Sequence, residues 1–353
     1  MSPINPQKLP QKTIVIAGPT AAGKSDLAIL LAHRYNGEII SADSRQVYRG
    51  MDIGTGKVAR DHAGISNSQF LISKQSKIPA RPAGGKNQKS KIEREEFFSE
   101  GVRHHLLDVA SPKRSYNVTH FVRDAKKIIA DIKKCGKLPI ICGGTGFWIQ
   151  ALVEDNAFPA VKPDLKLRER LGKLSTEKLF MSLQKKDPRR AKAIDKHNKV
   201  RLIRALEIIA TLGKVPRTVN SQQLTVNEKN YIIIALNPDK ETLQKNIEIR
   251  LKKRLKKGMI AEVKCLHTDG VSWKRLESFG LEYRRCAQYL EKKVSRQDLE
   301  ALLPNDIWHY AKRQLSFLRR FEKMGATIHW ITDSKEAKKL LKSLDYPITH
   351  VRV

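Results

Sequence analysis

Thr13–Ala17 is a short, β-branched apolar run that stops just before a glycine, and Ser25–Tyr35 then carries alanines and leucines at helical spacing. That change of period predicts a strand, a loop and a helix. Glu38–Ala42, His105–Val109 and Leu138–Cys142 repeat the strand signature, and the helical stretch Val118–Lys134 precedes the last of them. Tyr231–Leu236 returns as a further strand, and the chain from there to about Lys342 reads as mainly helical. Strands alternating with helices predict an α/β fold, a mostly parallel sheet covered by helices.

The pattern breaks twice. Between Val58 and Gly101 it fails, and Ser73–Arg94 is rich in lysine and arginine with almost no apolar period. A flexible basic loop is expected over 73–94, either a solvated insertion or an arm that touches nucleic acid. Pro159–Asn198 is helical in composition but punctuated by Pro163 and by Asp187-Pro188, which predicts a helical insertion over 159–199. Val200–Thr211 reads as one amphipathic helix closed by Gly213. The expected organisation is a core formed by 13–158 and 200–342 around that insertion. The length of 353 residues agrees, at roughly 100–200 residues per domain.

Composition adds one anomaly. Hydrophobic residues at 40% and charged residues at 29% are ordinary for a folded chain, but the net charge is +32. Such an excess points to a polyanionic partner, nucleic acid foremost, with a generally basic proteome as the bland alternative. No apolar run reaches the ~18–20 residues of a membrane span, and Met1–Lys12 is too short and polar for a signal peptide, so a soluble cytoplasmic protein is expected. Cys135, Cys142, Cys265 and Cys286 form no CxxC pair, which argues for reduced structural thiols.

Gly18-Pro19-Thr20-Ala21-Ala22-Gly23-Lys24-Ser25 fits GxxxxGK[ST] in strand–loop–helix context. Backbone N–H groups of such a loop wrap phosphate oxygens, the helix N-terminus adds positive dipole, Lys24 neutralises charge and the Ser25 hydroxyl is placed to ligate Mg²⁺. Alone, the motif would favour ATP or GTP. Asp43 follows the second strand, at the carboxyl end where open parallel sheets bind ligands, and either ligates Mg²⁺ or acts as a general base.

Beyond the loop, SADSRQVYRGMDIGTGK from Ser41, GVRHHLLDV from Gly101, LPIICGGTG from Leu138, RLIRALE from Arg201 and YAKRQ from Tyr310 follow in order. The whole series resembles the tRNA dimethylallyltransferases, bacterial type, over nearly the full chain. The resemblance implies a P-loop NTPase-like core and transfer of a dimethylallyl group from dimethylallyl diphosphate to N6 of the adenosine 3′ of a tRNA anticodon, releasing pyrophosphate. It implies Asp43, Thr20 and Arg250 as catalytic, Gly18–Ser25 as the diphosphate cradle, and Mg²⁺ held through Ser25. For the tRNA anticodon stem-loop it implies Asp43, Ser44, Arg45, Gln46, Thr145, Arg168, Val200, Arg201, Leu202, Ile203, Arg204, Gly280, Tyr283 and Arg284. A monomer is expected.

Several of these residues have plainer readings. Thr145 sits where it would cap a helix, Arg201 and Arg204 share one helix face as surface arginines often do, and Arg250, Arg254 and Lys257 fall on one face of an otherwise apolar helix. On that reading Arg254 and Lys257 are surface charge. Tyr48, Phe147 and Trp148 are candidates to stack on a flipped base, or simply core. The chain also departs from the family pattern: Asn246 stands where a second arginine is usual, His197-Asn198-Lys199 lacks an aspartate, and Ser278–Arg285 is shifted in register. Rival readings are an adenylate isopentenyltransferase acting on AMP, ADP or ATP, a P-loop nucleotide kinase, and a basic RNA-binding protein with an inactive site.

Overall fold

The computed structural model describes residues 12–61, 96–155, 158–216 and 230–344. The 73–94 segment expected as a basic loop lies outside them. The chain forms two compact units, Met1–Glu154 with Thr225–Val353 and, separately, Asp155–Leu224.

The first unit begins with β1 (Thr13–Ala17), α1 (Lys24–Tyr35) and β2 (Gly37–Ser41), followed by β3 (Phe97–Ser99), β4 (Val102–His105), α2 (Val118–Lys134), β5 (Leu138–Cys142) and α3 (Gly146–Val153). The second unit contributes α4 (Leu165–Gly172), α5 (Thr176–Lys186), α6 (Pro188–Ala193) and α7 (Lys199–Leu212). The first then resumes with β6 (Tyr231–Leu236), α8 (Lys240–Lys256), α9 (Met259–Thr268), α10 (Trp273–Ser278), α11 (Leu281–Leu290), α12 (Arg296–Lys323), β7 (Ile328–Ile331) and α13 (Ser334–Ser343).

The described strands form one sheet in the order β3-β4-β2-β5-β1-β6-β7. Every pairing is parallel except β3 with β4. β1 and β5 are buried throughout, as strands covered on both faces must be, which is why they read as unbroken apolar runs. The carboxyl ends of β1, β2, β5 and β6 therefore lie along one edge, and the loops leaving them share it. Among the described residues no helix is long and apolar enough to cross a membrane.

Four expectations are corrected. The strand read over His105–Val109 ends at His105, because Leu106 and Asp108 take left-handed backbone angles and turn the chain away. The patternless stretch before Gly101 holds β3, joined to β4 through Glu100 and Gly101, both at positive φ, with their N–H groups donating to the Asp61 carboxylate. β7 lies inside the tail read as helical. Finally α7 belongs to the second unit and not to the core: Leu202, Ala205, Leu206, Ile208 and Ile209 pack with Leu179, Leu183, Ala191 and Val161. Its amphipathic face was legible, but the surface that receives it was not.

Candidate active site

The P-loop leaves β1 and enters α1 with Gly18 at φ 140°, Ala21 at 64° and Gly23 at 82°. A Cβ at Gly18 would lie 2.7 Å from the Leu236 carbonyl oxygen at the end of β6, so only glycine fits. Lys24 folds back over the loop and donates to the Pro19 carbonyl at 2.6 Å. Burial lowers its ammonium pKa to about 8, and the Arg250 charge adds to that effect while Asp43 opposes it. An anion in the cradle would reverse the loss. Ser25 lies in the first turn of α1, half-buried.

The turn after β5 reaches the P-loop through Gln314 of α12, whose Oε1 accepts from Thr20 N at 2.8 Å and whose Nε2 donates to the Gly144 carbonyl at 2.8 Å. Thr145 occupies the N-cap position of α3 but makes no side-chain cap bond. Its hydroxyl instead accepts from Ser44 N at 3.0 Å, tying that turn to the loop after β2. In this loop the Asp43 carboxylate accepts from Arg45 N at 2.9 Å through Oδ1, which fixes its direction. Gln46 accepts from the Ser41 hydroxyl and donates to the carbonyls of Thr55 and Gly56.

α8 runs alongside. Arg250 donates from Nη1 to the Thr20 hydroxyl at 3.3 Å, and Asn246, one turn earlier, donates to the Ala21 carbonyl at 3.4 Å. Burial, and then the Arg254 charge, bring the Arg250 guanidinium down to about 10, still protonated at neutral pH. Asp43, Thr20, Arg250 and the Gly18–Ser25 loop are thus brought together as the sequence implied.

Other expected contacts are placed differently. Arg45 is buried, donating to Glu282 Oε2 at 2.8 Å with Tyr310 beneath its guanidinium. Burial alone would lower its pKa, but Glu282 and then Asp43 raise it. Tyr283 is fully buried under Gly54, and its hydroxyl donates to Glu262 at 2.7 Å. That glutamate also accepts from the N–H groups of Asp52, Ile53 and Gly54. Arg45 and Tyr283 thus brace the loop from beneath. Arg284 is exposed beside Gly280 at the start of α11. Tyr48 and Trp148 are core, the latter stacked on Phe121 at 4.7 Å, whereas Phe147 is exposed.

In the second unit, Arg168 forks onto Glu207 with two bonds of 2.8 Å, and Arg204 joins the same carboxylate. Asp164 N adds a fourth donor at 2.7 Å. Burial would raise the Glu207 pKa, but these bonds hold it down at about 2. Val200 and Arg201 are exposed at the start of α7, Ile203 is half-buried, and Leu202 is fully buried, so its side chain belongs to the core of the unit.

Four site residues were missed, Glu262 among them. Gln314 lay within the YAKRQ segment without a role. Glu282 sat in the stretch whose register is shifted. Arg254, taken as surface charge, is buried and donates to Glu282 Oε1 at 2.8 Å. The signal was available: Leu243, Ile247, Leu251 and Arg254 continue one buried stripe of α8. Lys257 is exposed, as expected.

A family model described as IPP transferase matches residues 87–321, and one described as isopentenyl transferase matches residues 11–77. The tRNA dimethylallyltransferase 2 of Treponema denticola is 37% identical over 321 residues, covering 90% of this chain and 95% of its own. The tRNA dimethylallyltransferase 1 of Geotalea uraniireducens is 34% identical over 333 residues, covering 93% and 96%. Among solved structures, the full-length tRNA isopentenylpyrophosphate transferase of Bacillus halodurans superposes with a TM-score of 0.61 at 28% identity, covering 95% of this chain and 96% of that one. A eukaryotic dimethylallyltransferase solved acting on tRNA gives 0.70 at 25% identity, covering 97% and 82%. With the phosphate loop, Asp43 and Arg250 gathered at one sheet edge and these likenesses spanning almost all of its length, the chain belongs to the tRNA dimethylallyltransferase family.

Proposed function

We propose that this chain transfers the dimethylallyl group from dimethylallyl diphosphate to N6 of the adenosine immediately 3′ of a tRNA anticodon. The observation that carries the reading is the convergence of a phosphate-binding loop, a cation pair and one oriented carboxylate at a single edge of the sheet. Relatives of similar length bear the name of that reaction.

The N6 lone pair is delocalised into the purine, so the amine needs a base and the diphosphate needs stabilisation as it leaves. In this reading N6 attacks the allylic carbon while the carbon–oxygen bond to the diphosphate breaks. Asp43 takes the N6 proton, and the bonding pair departs with pyrophosphate. Loop N–H groups, Lys24 and Arg250 meet the growing charge, with Thr20 and Gln314 keeping the loop in place. Ser25, half-buried in the first turn of α1, would hold a Mg²⁺ shared with the diphosphate oxygens. A bound Mg²⁺ would add charge neutralisation at the diphosphate.

The net charge of +32 suits a tRNA better than a mononucleotide. Arg201, Arg204 and Arg284 are the described candidates for backbone phosphate. A monomer working in the cytoplasm, where tRNA is found, completes the proposal. The test is incubation with dimethylallyl diphosphate, Mg²⁺ and unmodified tRNA, with AMP and ATP in parallel, read by nucleoside mass spectrometry. Isopentenyladenosine in tRNA is the expected product. Modified AMP with untouched tRNA would move the protein to the mononucleotide branch, and ATP-dependent phosphoryl transfer would make it a kinase.

A further inference from the structure

Arg254 occupies an apolar phase of α8, and its guanidinium is carried inward to the floor of the site. Nη1 donates to the Gly54 carbonyl at 3.3 Å and to Glu282 at 2.8 Å, but Nη2 is buried with no hydrogen-bond partner among the described residues. A guanidinium has five donors and no acceptor, so a buried N–H left unmade is unfavourable unless something else is gained.

Gly56 shows what lies beside it. At φ 63°, a Cβ on Gly56 would fall 1.7 Å from Arg254 Nη2 and 2.2 Å from Arg250 Nη2. The two cationic heads end at one point under the turn, and only a glycine leaves room for both. Like charges this close, with little water between them, repel strongly. Glu282 cannot cancel them, because it is shared with Arg45. The charged groups facing one another here are Lys24, Arg45, Arg250 and Arg254 against Asp43 and Glu282. Asn246, a turn before Arg250, faces the P-loop without charge. The cluster holds more positive charge than it matches, on the side where Arg250 meets Thr20.

We propose that Arg254 is a positioning residue of the diphosphate subsite: anchored by Glu282, it holds Arg250 against Thr20 and supplies unmatched positive charge that a bound diphosphate neutralises. The inference rests on the diphosphate reading of the P-loop. It assigns Glu282 a place in the same device, as the anchor that aims Arg254 without satisfying it.

The test uses the full-length chain and inorganic pyrophosphate. Calorimetric titration and unliganded thermal unfolding are compared for wild type, Arg254→Met and Arg254→Lys. Arg254→Met should weaken pyrophosphate binding about tenfold while its unliganded melting temperature does not fall, since a repulsion is removed. Arg254→Lys should recover part of the affinity, and KM for tRNA should stay unchanged in both. A lower melting temperature with unchanged pyrophosphate affinity would make Arg254 an ordinary buried ion pair and overturn the proposal. Wild type that fails to bind pyrophosphate would overturn the diphosphate reading and the proposal with it. Should Arg254→Met not fold, Glu282→Gln provides a second comparison: with its anchor gone Arg254 no longer holds Arg250 against Thr20, so the stabilisation given by pyrophosphate shrinks while KM for tRNA stays unchanged. Unchanged stabilisation would count against the idea.

Discussion

Glu207 in the second unit and Glu282 in the first are both almost fully buried, at 1% and 2% exposure, and each accepts hydrogen bonds from two arginines. The likeness ends at the arginines. Arg168 and Arg204 keep 39% and 34% of their side-chain surface, so the Val161 carbonyl and solvent take the donors that Glu207 does not. Arg45 and Arg254 keep 11% and 9%, and one Arg254 nitrogen has no partner among the described residues. The first arrangement is a clasp, in which every buried charge is matched and the fold of a small helical unit is the gain. The second leaves charge unmatched beside the Gly18–Ser25 loop. The same residue types thus close a clasp in one place and, on the proposed reading, form an anion-binding cluster in the other, and the exposure of the arginines decides which.

The comparison is sharpened first by the largest effect. Asp43→Ala should lower turnover by about 10²- to 10⁴-fold, since the general base is lost, while tRNA binding and the Glu207 clasp are untouched. A variant with near-wild-type kcat would remove Asp43 as the base. Glu207→Gln should then destabilise the protein by about 3 kcal/mol, because two arginines lose the charge that holds them, with KM for dimethylallyl diphosphate unchanged. A KM that rises with the loss of stability would erase the distinction between the two clusters. The clasp also predicts a pH dependence. The Glu207 carboxyl is held at about 2 against roughly 4.3 unfolded, so its stabilisation is complete above that unfolded value and is lost as pH falls toward 2. Urea titrations across that range should lose the dependence in Glu207→Gln.

Lys24 is also shifted downward, but there folding disfavours the charged form. Its ammonium titrates at about 8 in the free protein, below the ordinary lysine value near 10.4, so unliganded stability rises as pH goes from the first value to the second. A bound diphosphate favours the protonated form. Pyrophosphate affinity should therefore be full below pH 8 and fall by up to about tenfold per pH unit above it, until the bound-state pKa is reached. A flat profile between pH 7 and 9.5 would contradict that assignment. The smallest effect expected is from Gln314→Ala, which removes the bridge between Thr20 and Gly144 and should raise KM for dimethylallyl diphosphate several-fold, about 1 kcal/mol, leaving KM for tRNA in place.

Much of the core was legible. β1, α2, β5 and β6 have the bounds read from their apolar patterns, because strands buried on both faces are continuous runs and α2 opens on an Asn117 cap. β3 was not, being three residues long and dependent on β4 across a tight turn. α7 showed its apolar face, but a face does not name its partner, and the insertion claimed it. In the site, Asp43, Thr20 and Arg250 followed from motif and resemblance. The supports did not: Glu282 and Glu262 come from distant helices to hold Arg45, Arg254 and the 52–54 turn, which is a matter of tertiary packing. Arg254 was misread because charge suggested surface, although its phase on α8 matched the buried leucines. Tyr283 shows the converse, since a residue implied to touch RNA is buried under the loop it supports.

The most direct measurement is the mass of the anticodon-loop fragment of an unmodified tRNA after reaction with dimethylallyl diphosphate, compared between wild type and Asp43→Ala. The account predicts one added dimethylallyl group, located on the adenosine 3′ of the anticodon, with one pyrophosphate released per group and almost none with the variant. A fragment of unchanged mass under conditions where the wild type is folded and binds pyrophosphate would contradict it.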